Sequence, residues 1–179
     1  PMSDISFQVV NPETGIPVEP KELGELRVKG YTLMQGYYKR PQATAESFTE
    51  DGWFKTGDTA KIRQDGRLIF LGRYKDMLKV GGENVSPAEV EAHLMKISGI
   101  QAISVVAYPD ERLHEVAVAF TILKSDSMLT ADEITGFLKG KIASFKIPRH
   151  IIFVKEFPMT SSGKVQKARL RKQAIEILG

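Results

Sequence analysis

Three short segments carry the side chains best suited to nucleotide chemistry: residues 53–58, 72–85 and 158–164. Their polar members include Asp58, Arg73 and Lys164. A carboxylate accepts hydrogen bonds from two adjacent hydroxyl groups, as acidic residues do for ribose in dinucleotide-binding folds. An arginine offers a fixed fork of donors to phosphate and ribose oxygens. Each segment alone is a weak signal, and their common order along the chain is the stronger one.

The Gly163-Lys164 pair could belong to a phosphate-binding loop of the Walker A type. That interpretation fails, because Val165 stands where a serine or threonine is required and no glycine lies five positions before Gly163. A lone lysine in a loop is by default a solvated residue. Similarly, Gly57-Asp58 alone could be a turn, Arg73 alone could form a surface ion pair with Asp76, and Gly81-Gly82 a plain β-turn.

The first third of the chain has the pattern of short β-strands. Residues 7–10 form an apolar run before a turn, and residues 25–29 alternate polar and apolar side chains. Residues 60–71 read as a hairpin around Asp65-Gly66. Several short strands with frequent turn signals predict a small β-barrel-like subdomain.

After Gly72 the pattern changes to α+β. Capping boxes at Ser86–Glu89 and Thr130–Glu133 predict two helix starts, and a third, basic helix begins near Lys167. Strands are predicted at residues 102–107, 115–120 and 151–154. We therefore expect a compact α+β domain with helices over a three-stranded sheet, preceded by the β-rich part. The boundary falls near Lys75, giving domains at 1–74 and 75–179.

The last helix carries a basic stretch and an apolar stripe. We interpret its cations as a solvated face and its apolar residues as inward-packing. The cations are Lys164, Lys167, Arg169, Arg171 and Lys172, and the inward residues are Leu170, Ala174 and Ile175. Trp53 is interpreted as a packing residue. His93, His114 and His150 lack ligand spacing, so surface or capping roles and no metal site are expected.

Composition excludes several classes of protein. The 179 residues include no cysteine, so disulfides, thiolate zinc sites and a catalytic cysteine are impossible. The net charge of +3 is too small to argue for nucleic acid. No apolar run reaches the ~20 residues of a membrane span. The first four residues, Pro1-Met2-Ser3-Asp4, have no signal-peptide features, and a cytoplasmic location is expected. We also expect that the sequence begins within a longer protein.

Together, the three segments resemble consecutive core motifs of the adenylate-forming superfamily. This superfamily includes acyl- and aryl-CoA synthetases, peptide-synthetase adenylation domains and beetle luciferases. The resemblance covers nearly the whole chain and begins at residues 24–30, with Gly36-Tyr37 also part of it. It implies the C-terminal part of an AMP-forming acyl-CoA synthetase. Residues 1–74 would then be the β-rich end of the large N-terminal adenylation domain, and 75–179 the mobile C-terminal catalytic domain.

The resemblance also implies roles for single residues of the nucleotide site and the hinge. Asp58 would accept the ribose hydroxyl groups, and Arg73 would contact the nucleotide. Lys75 falls at the hinge about which the C-terminal domain turns between adenylation and thioester formation. Lys164 would stabilise the charge that builds as a carboxylate attacks the α-phosphate.

Other residues are implied in the second half-reaction. Lys79 lies on the face that the family presents during thioester formation. Gly81 and Gly82 border the pantetheine tunnel in CoA-dependent relatives, and glycine lets backbone approach a ligand closely. The cations near Lys164 could meet the phosphates of CoA, although their spacing does not require it.

The expected whole reaction converts a carboxylic acid, ATP and CoA to acyl-CoA, AMP and pyrophosphate. The family's phosphate loop and its Mg²⁺-holding Tyr-Gly-x-Thr-Glu segment are absent, so residues 1–179 alone are expected to be inert. Expected partners are the upstream N-terminal domain of the same polypeptide, the acid and CoA, with ATP and Mg²⁺ bound mainly upstream. The identity of the acid stays open.

Two alternatives remain open. The chain could belong to an adenylation domain that serves a carrier protein, or it could be a non-catalytic module that binds CoA or a partner. Residues 81–84, Gly-Gly-Glu-Asn, resemble the CoA ligases more than the peptide-synthetase domains, which more often carry an Arg-Gly pair there. The retention of Lys164 argues against a pure binding module, which has no need of that cation.

Overall fold

The computed structural model describes residues 4–179, which form two compact units that divide after Lys75. The prediction about a signal peptide concerns residues 1–4, of which 1–3 lie outside the described residues. The assignment of the two units to the end of a large domain and to a mobile catalytic domain stays a prediction. No helix of residues 4–179 is long and apolar enough to cross a membrane.

The first unit is an antiparallel sheet of four strands in chain order, with one short helix. Its elements are β1 (Ile5–Val10), β2 (Gly24–Gly30), α1 (Pro41–Ser47), β3 (Phe54–Ile62) and β4 (Leu68–Arg73). Val9, Leu26 and Ala60 form its buried core. The predicted hairpin is confirmed, since Ile62 of β3 pairs with Leu68 of β4 directly beside the loop that joins them. The strands form an open sheet with β1 and β4 at its edges, rather than a closed barrel.

The second unit is a five-stranded sheet with three helices. Its elements are β5 (Leu78–Val80), β6 (Glu83–Val85), α2 (Pro87–Leu94), β7 (Ile100–Asp110), β8 (His114–Leu123), α3 (Ala131–Leu138), β9 (His150–Phe153) and α4 (Lys167–Leu178), with a 3₁₀ turn at Ser144–Lys146. Another 3₁₀ turn, Tyr74–Asp76, spans the division between the two units. The strand order is β6-β5-β8-β7, and β9 pairs with β8 in parallel. The α+β class is confirmed. The sheet has five strands, two more than the three predicted. The additional strands β5 and β6 span only three residues each, too few to show a strand pattern in the sequence.

The two faces of this sheet bury different helices. Successive residues of a strand point to opposite faces, so Val105 packs with α2 and α3 while Val106 packs with α4. Leu170 and Ala174 of α4 are fully buried, which confirms their predicted inward position. Ile175 was predicted to point inward as well, and this is wrong: its side chain is exposed, one residue past the buried stripe.

Two predicted helix starts are present. Thr130 accepts from the Glu133 N–H, and the Glu133 carboxylate accepts from the Thr130 N–H at 2.8 Å, which confirms that capping box. Ser86 caps α2 by accepting from the Glu89 N–H, while the Glu89 carboxylate binds Lys146. The Thr130 backbone N–H lowers the pKa of Glu133. The resulting stabilisation is present above the ordinary pKa of glutamate and is lost as the pH falls through the lowered value.

We predict that Thr130→Ala lowers the free energy of opening of α3 by about 1 kcal/mol, because the first turn loses a side-chain acceptor. Hydrogen exchange of the α3 amides measures this. Thr135→Ala is the matched control, since the Thr135 hydroxyl donates to the Ala131 carbonyl inside the same helix and caps no free N–H. Equal losses in the two variants would contradict the capping role.

Candidate active site

A bulge in β3 sets the position of Asp58. Three residues of β3, 56–58, lie opposite Leu26 alone in β2, and Gly57 has a φ of +69°. The Thr56 hydroxyl donates to the Leu26 carbonyl at 2.7 Å and accepts from the Asp58 N–H at 3.0 Å. One hydroxyl therefore replaces the ladder hydrogen bonds that the extra residues interrupt. The bulge thus gives Asp58 a fixed backbone position.

Arg73 lies directly opposite Asp58, at the end of β4. Its Nε forms an ion pair with Asp58 Oδ1 at 3.1 Å, and one terminal nitrogen donates to the Thr56 carbonyl at 2.8 Å. The proposed alternative pairing with Asp76 is wrong, because Asp76 pairs with Arg171 instead. The Asp58 side chain is 22% exposed and that of Arg73 is 63% exposed.

The Asp58–Arg73 pair offers both kinds of polar group to a ligand. A carboxylate has lone pairs beyond the one that Arg73 occupies, so it can accept further hydroxyl groups. The exposed guanidinium keeps donors for anionic oxygens. An ion pair this exposed contributes little to stability, so a ligand can replace part of it at small cost. The geometry therefore suits a polar ligand that carries hydroxyl groups and negative charge.

Lys75, predicted for the hinge, and Lys79, predicted for the second half-reaction, lie in a 3₁₀ turn and in strand β5. Lys75 lies in the 3₁₀ turn at Tyr74–Asp76, where the two units divide. Lys79 is the exposed centre of β5, between the buried Leu78 and Val80. Its backbone N–H donates to the Glu115 carboxylate at 2.7 Å, which fixes the strand and leaves the lysine side chain at the surface.

The two glycines form the turn between β5 and β6. Gly81 and Gly82 have φ values of +58° and +90°, and two positive values in a two-residue loop define the type I′ turn. A Cβ on Gly81 would lie 3.1 Å from the side chain of Leu113, whereas one on Gly82 would meet nothing within 4 Å. The β-turn interpretation is therefore confirmed, and the role beside CoA stays a prediction.

An ordered loop presents Lys164. Met159 and Val165 form an antiparallel bridge, and the Thr160 N–H donates to the Lys164 carbonyl at 2.8 Å. The Lys164 N–H in turn donates to the Thr160 hydroxyl at 3.0 Å. Gly163, at a φ of +78°, closes the turn by donating to the Thr160 carbonyl. The Lys164 side chain is exposed and makes no ion pair with another residue of 4–179.

The basic stretch after Lys164 is only partly solvated, which corrects the sequence prediction. Lys167 donates to Glu91 Oε1 at 2.8 Å and to the Val105 carbonyl at 3.3 Å. Arg171 donates to Asp76 Oδ1 at 3.1 Å. Arg169 and Lys172 are exposed, as predicted. The partners of Lys167 and Arg171 lie far away in sequence, so the helical pattern alone could not reveal them.

Sequence reasoning also missed Thr56 and Glu91. The Thr56 hydroxyl could have been suspected from the Thr-Gly-Asp sequence, because threonine before a glycine turn often bonds to nearby backbone. No sequence signal marks Glu91, whose partners depend on the fold. Within residues 4–179 the acidic and histidine side chains form no group of three arranged for a metal ion.

The fold and these motifs define a class. Residues 89–164 match the family described as the AMP-binding enzyme C-terminal domain. Residues 89–164 belong to this domain family, and the chain corresponds to the C-terminal portion of adenylate-forming enzymes.

Named relatives agree with this class. The chain is 47% identical to the mouse "Medium-chain acyl-CoA ligase ACSF2, mitochondrial", over 96% of the chain and 28% of the relative. It is 43% identical to the "Putative acyl-CoA synthetase YngI" of Bacillus subtilis, over 95% of the chain and 31% of the relative. The chain thus spans less than a third of the length of these curated relatives.

Solved structures share the fold over nearly the whole chain. ATP-bound MatB from Rhodopseudomonas palustris has a TM-score of 0.88 at 33% identity, covering 98% of this chain and 35% of that one. The o-succinylbenzoate CoA synthetase MenE from Bacillus subtilis, in complex with its acyl-adenylate intermediate, has a TM-score of 0.89 at 32% identity. It covers 96% of this chain and 34% of that one.

We predict that Thr56→Val removes the protection of the Asp58 amide from hydrogen exchange, because valine keeps the shape of threonine and loses the hydroxyl acceptor. Thr56→Ser is the matched control and should keep that protection. Amide exchange followed residue by residue by NMR makes the comparison. Equal protection of Asp58 in both variants would show that the hydroxyl does not hold the bulge.

Proposed function

We propose that the protein containing this chain is an AMP-forming acid–thiol ligase. In the first step, a carboxylate attacks the α-phosphate of ATP, forming an acyl-adenylate and releasing pyrophosphate. In the second, the thiol of CoA attacks the acyl carbon, forming acyl-CoA and releasing AMP. The observation that carries the proposal is the ordered loop that presents the exposed Lys164 cation at the end of the third motif.

Lys164 has the properties that the first step requires. The attack of a carboxylate on a phosphate concentrates negative charge, and catalysis of phosphoryl transfer depends mainly on positioning and electrostatic stabilisation. The loop backbone is already fixed by the Thr160 side chain and carbonyl. An ammonium group on such a loop orients the acid and offsets the developing charge with little reorganisation. It engages no carboxylate among residues 4–179 that would compete for its charge.

We assign Asp58 and Arg73 to the nucleotide. The free lone pairs of the Asp58 carboxylate accept the two ribose hydroxyl groups, and Arg73 donates to ribose or phosphate oxygens. Their separation of 3.1 Å supports a common ligand. The bulge at residues 56–58 supports the same assignment, since it fixes the carboxylate before the ligand arrives.

The second step is assigned to Lys75, Lys79 and the Gly81-Gly82 turn. The short 3₁₀ turn that holds Lys75 lies at the division of the two units, which suits a hinge that must absorb a backbone rotation. The exposed Lys79 and the open surface at Gly82 leave room for the pantetheine arm of CoA. CoA is favoured over a carrier protein as the thiol because residues 81–84 resemble the CoA ligases.

The remaining assignments concern substrates and location. ATP and CoA are the substrates, and Mg²⁺ is assigned to the upstream domain of the same polypeptide, which also selects the acid. A fatty acid is the first class of acid to test, because the mouse relative is named a medium-chain acyl-CoA ligase. That relative is also named mitochondrial. The cytoplasm remains our proposal for this protein, and residues 1–179 alone are expected to be inactive.

We predict that Lys164→Ala in the full-length protein lowers the rate of acyl-adenylate formation by roughly 100-fold, the size of effect seen when one group that stabilises the transition state is removed. Pyrophosphate exchange into ATP measures this step. Thioester formation from supplied acyl-adenylate should change little. Lys172→Ala removes another exposed lysine, eight positions further on, and is the matched control. Full pyrophosphate exchange by Lys164→Ala would contradict the proposed mechanism.

A further inference from the structure

One strand edge in the second unit is closed by charged side chains. β7 pairs with β8 along one edge, and no strand covers its other edge among residues 4–179. At that edge the Val105 N–H donates to Glu91 Oε1 at 2.7 Å, and the Val105 carbonyl accepts from the Lys167 ammonium at 3.3 Å. Glu91 and Lys167 themselves are 2.8 Å apart. Both backbone groups of Val105 are therefore satisfied by one ion pair.

This ion pair joins helices on opposite faces of the sheet. Glu91 belongs to α2, whose Val90 and Leu94 pack on one face. Lys167 begins α4, whose Leu170 and Ala174 pack on the other. The pair thus passes around the edge of β7. Its side chains are only 22% and 23% exposed, so the pair is less screened by solvent than a surface pair.

Lys167 also lies three residues after Lys164. Between them, the Gln166 N–H donates to the Pro158 carbonyl at 2.8 Å, and the Gln166 side chain donates to the Met159 carbonyl. These bonds hold the two ends of the Lys164 loop, residues 159–165, together. Val165, at the end of this loop, packs against the apolar core on the α4 face of the sheet. The polar contact with the sheet is made next to the loop, by Lys167 to Glu91 and Val105. This contact therefore adds a directional constraint on the position of the Lys164 loop relative to the sheet.

We propose that Glu91 is a positioning residue for Lys164. Acting through Lys167, its carboxylate holds the start of α4 at the β7 edge and so fixes where the Lys164 ammonium stands during adenylate formation. The inference rests on the proposed function of Lys164. The rate of adenylate formation is expected to depend strongly on the position of the Lys164 ammonium, because displacing a catalytic group by about 1 Å lowers rates by up to about 100-fold.

The same helix supplies a matched control. Glu89, two residues before Glu91, binds Lys146 at 2.8 and 2.9 Å, and these side chains are 34% and 22% exposed. Lys146 ends the 3₁₀ turn at Ser144–Lys146, which lies before β9 and well before the Lys164 loop in the sequence. Loss of the Glu89 pair removes an ion pair of the same type and similar burial, without touching the start of α4.

The experiment compares Glu91→Gln, Glu89→Gln and Lys164→Ala in the full-length protein. Glutamine keeps an acceptor for the Val105 N–H and removes the charge that holds Lys167. We expect Glu91→Gln to lower kcat of pyrophosphate exchange about tenfold with little change in the KM for ATP. Thioester formation from supplied acyl-adenylate should be unchanged. The Arg169 and Leu170 amides, which donate to the Gln166 carbonyl at the start of α4, should exchange faster. Glu89→Gln should leave all of these values unchanged.

The outcomes separate this inference from the proposed function. If Lys164→Ala exchanges pyrophosphate normally, the proposed role of Lys164 fails, and this inference fails with it. If Lys164→Ala is impaired and Glu91→Gln behaves like Glu89→Gln, only the positioning role is overturned. An equal loss in both half-reactions for Glu91→Gln also overturns it, since that is the mark of a purely structural role. Lys167→Gln, expected to give the same pattern as Glu91→Gln, decides the question if the latter does not fold.

Discussion

The long antiparallel ladder between β7 and β8 is the constraint on which the second unit depends. It runs from Ile100 opposite Leu123 to Asp110 opposite His114. Its centre is buried on both faces, because Val105 and Val106 point to opposite sides and are both fully buried. Burial at about 25 cal/mol per Å² of apolar surface makes such a two-sided strand pair a strong organiser of its neighbours.

The functional segments attach to this ladder at its margins. β5 joins β8 where Val80 lies opposite His114, and its hairpin carries Lys79 and the two glycines. The Lys164 loop is attached at the outer edge of β7 through Lys167. The residues proposed for chemistry in the second unit thus lie on a short hairpin and a loop, while the packed strands and helices supply their attachment points. In the first unit, Asp58 lies within strand β3 itself, at the bulge of residues 56–58.

Much of this arrangement could be predicted from local sequence. Capping at Thr130 and the turn at Asp65-Gly66 depend on residues a few positions apart, and each leaves a readable pattern. The inward positions Leu170 and Ala174 follow from helical periodicity. By contrast, β5 and β6 are too short to show a strand pattern. The links from Lys167 to Glu91 and from Arg171 to Asp76 span 76 and 95 residues, so only the folded chain brings these side chains together.

Attack of the acid on the α-phosphate of ATP leaves one oxygen of the acid on AMP, and an isotope label follows this oxygen. The full-length protein would be supplied with ATP, CoA and a medium-chain fatty acid whose carboxylate carries ¹⁸O. If the acyl-adenylate forms as proposed, one ¹⁸O atom passes into the phosphate of AMP, and the pyrophosphate stays unlabelled by mass spectrometry. Label in inorganic phosphate, with ADP as the nucleotide product, would show instead that the acid attacks the γ-phosphate, and the proposed acyl-adenylate would be wrong.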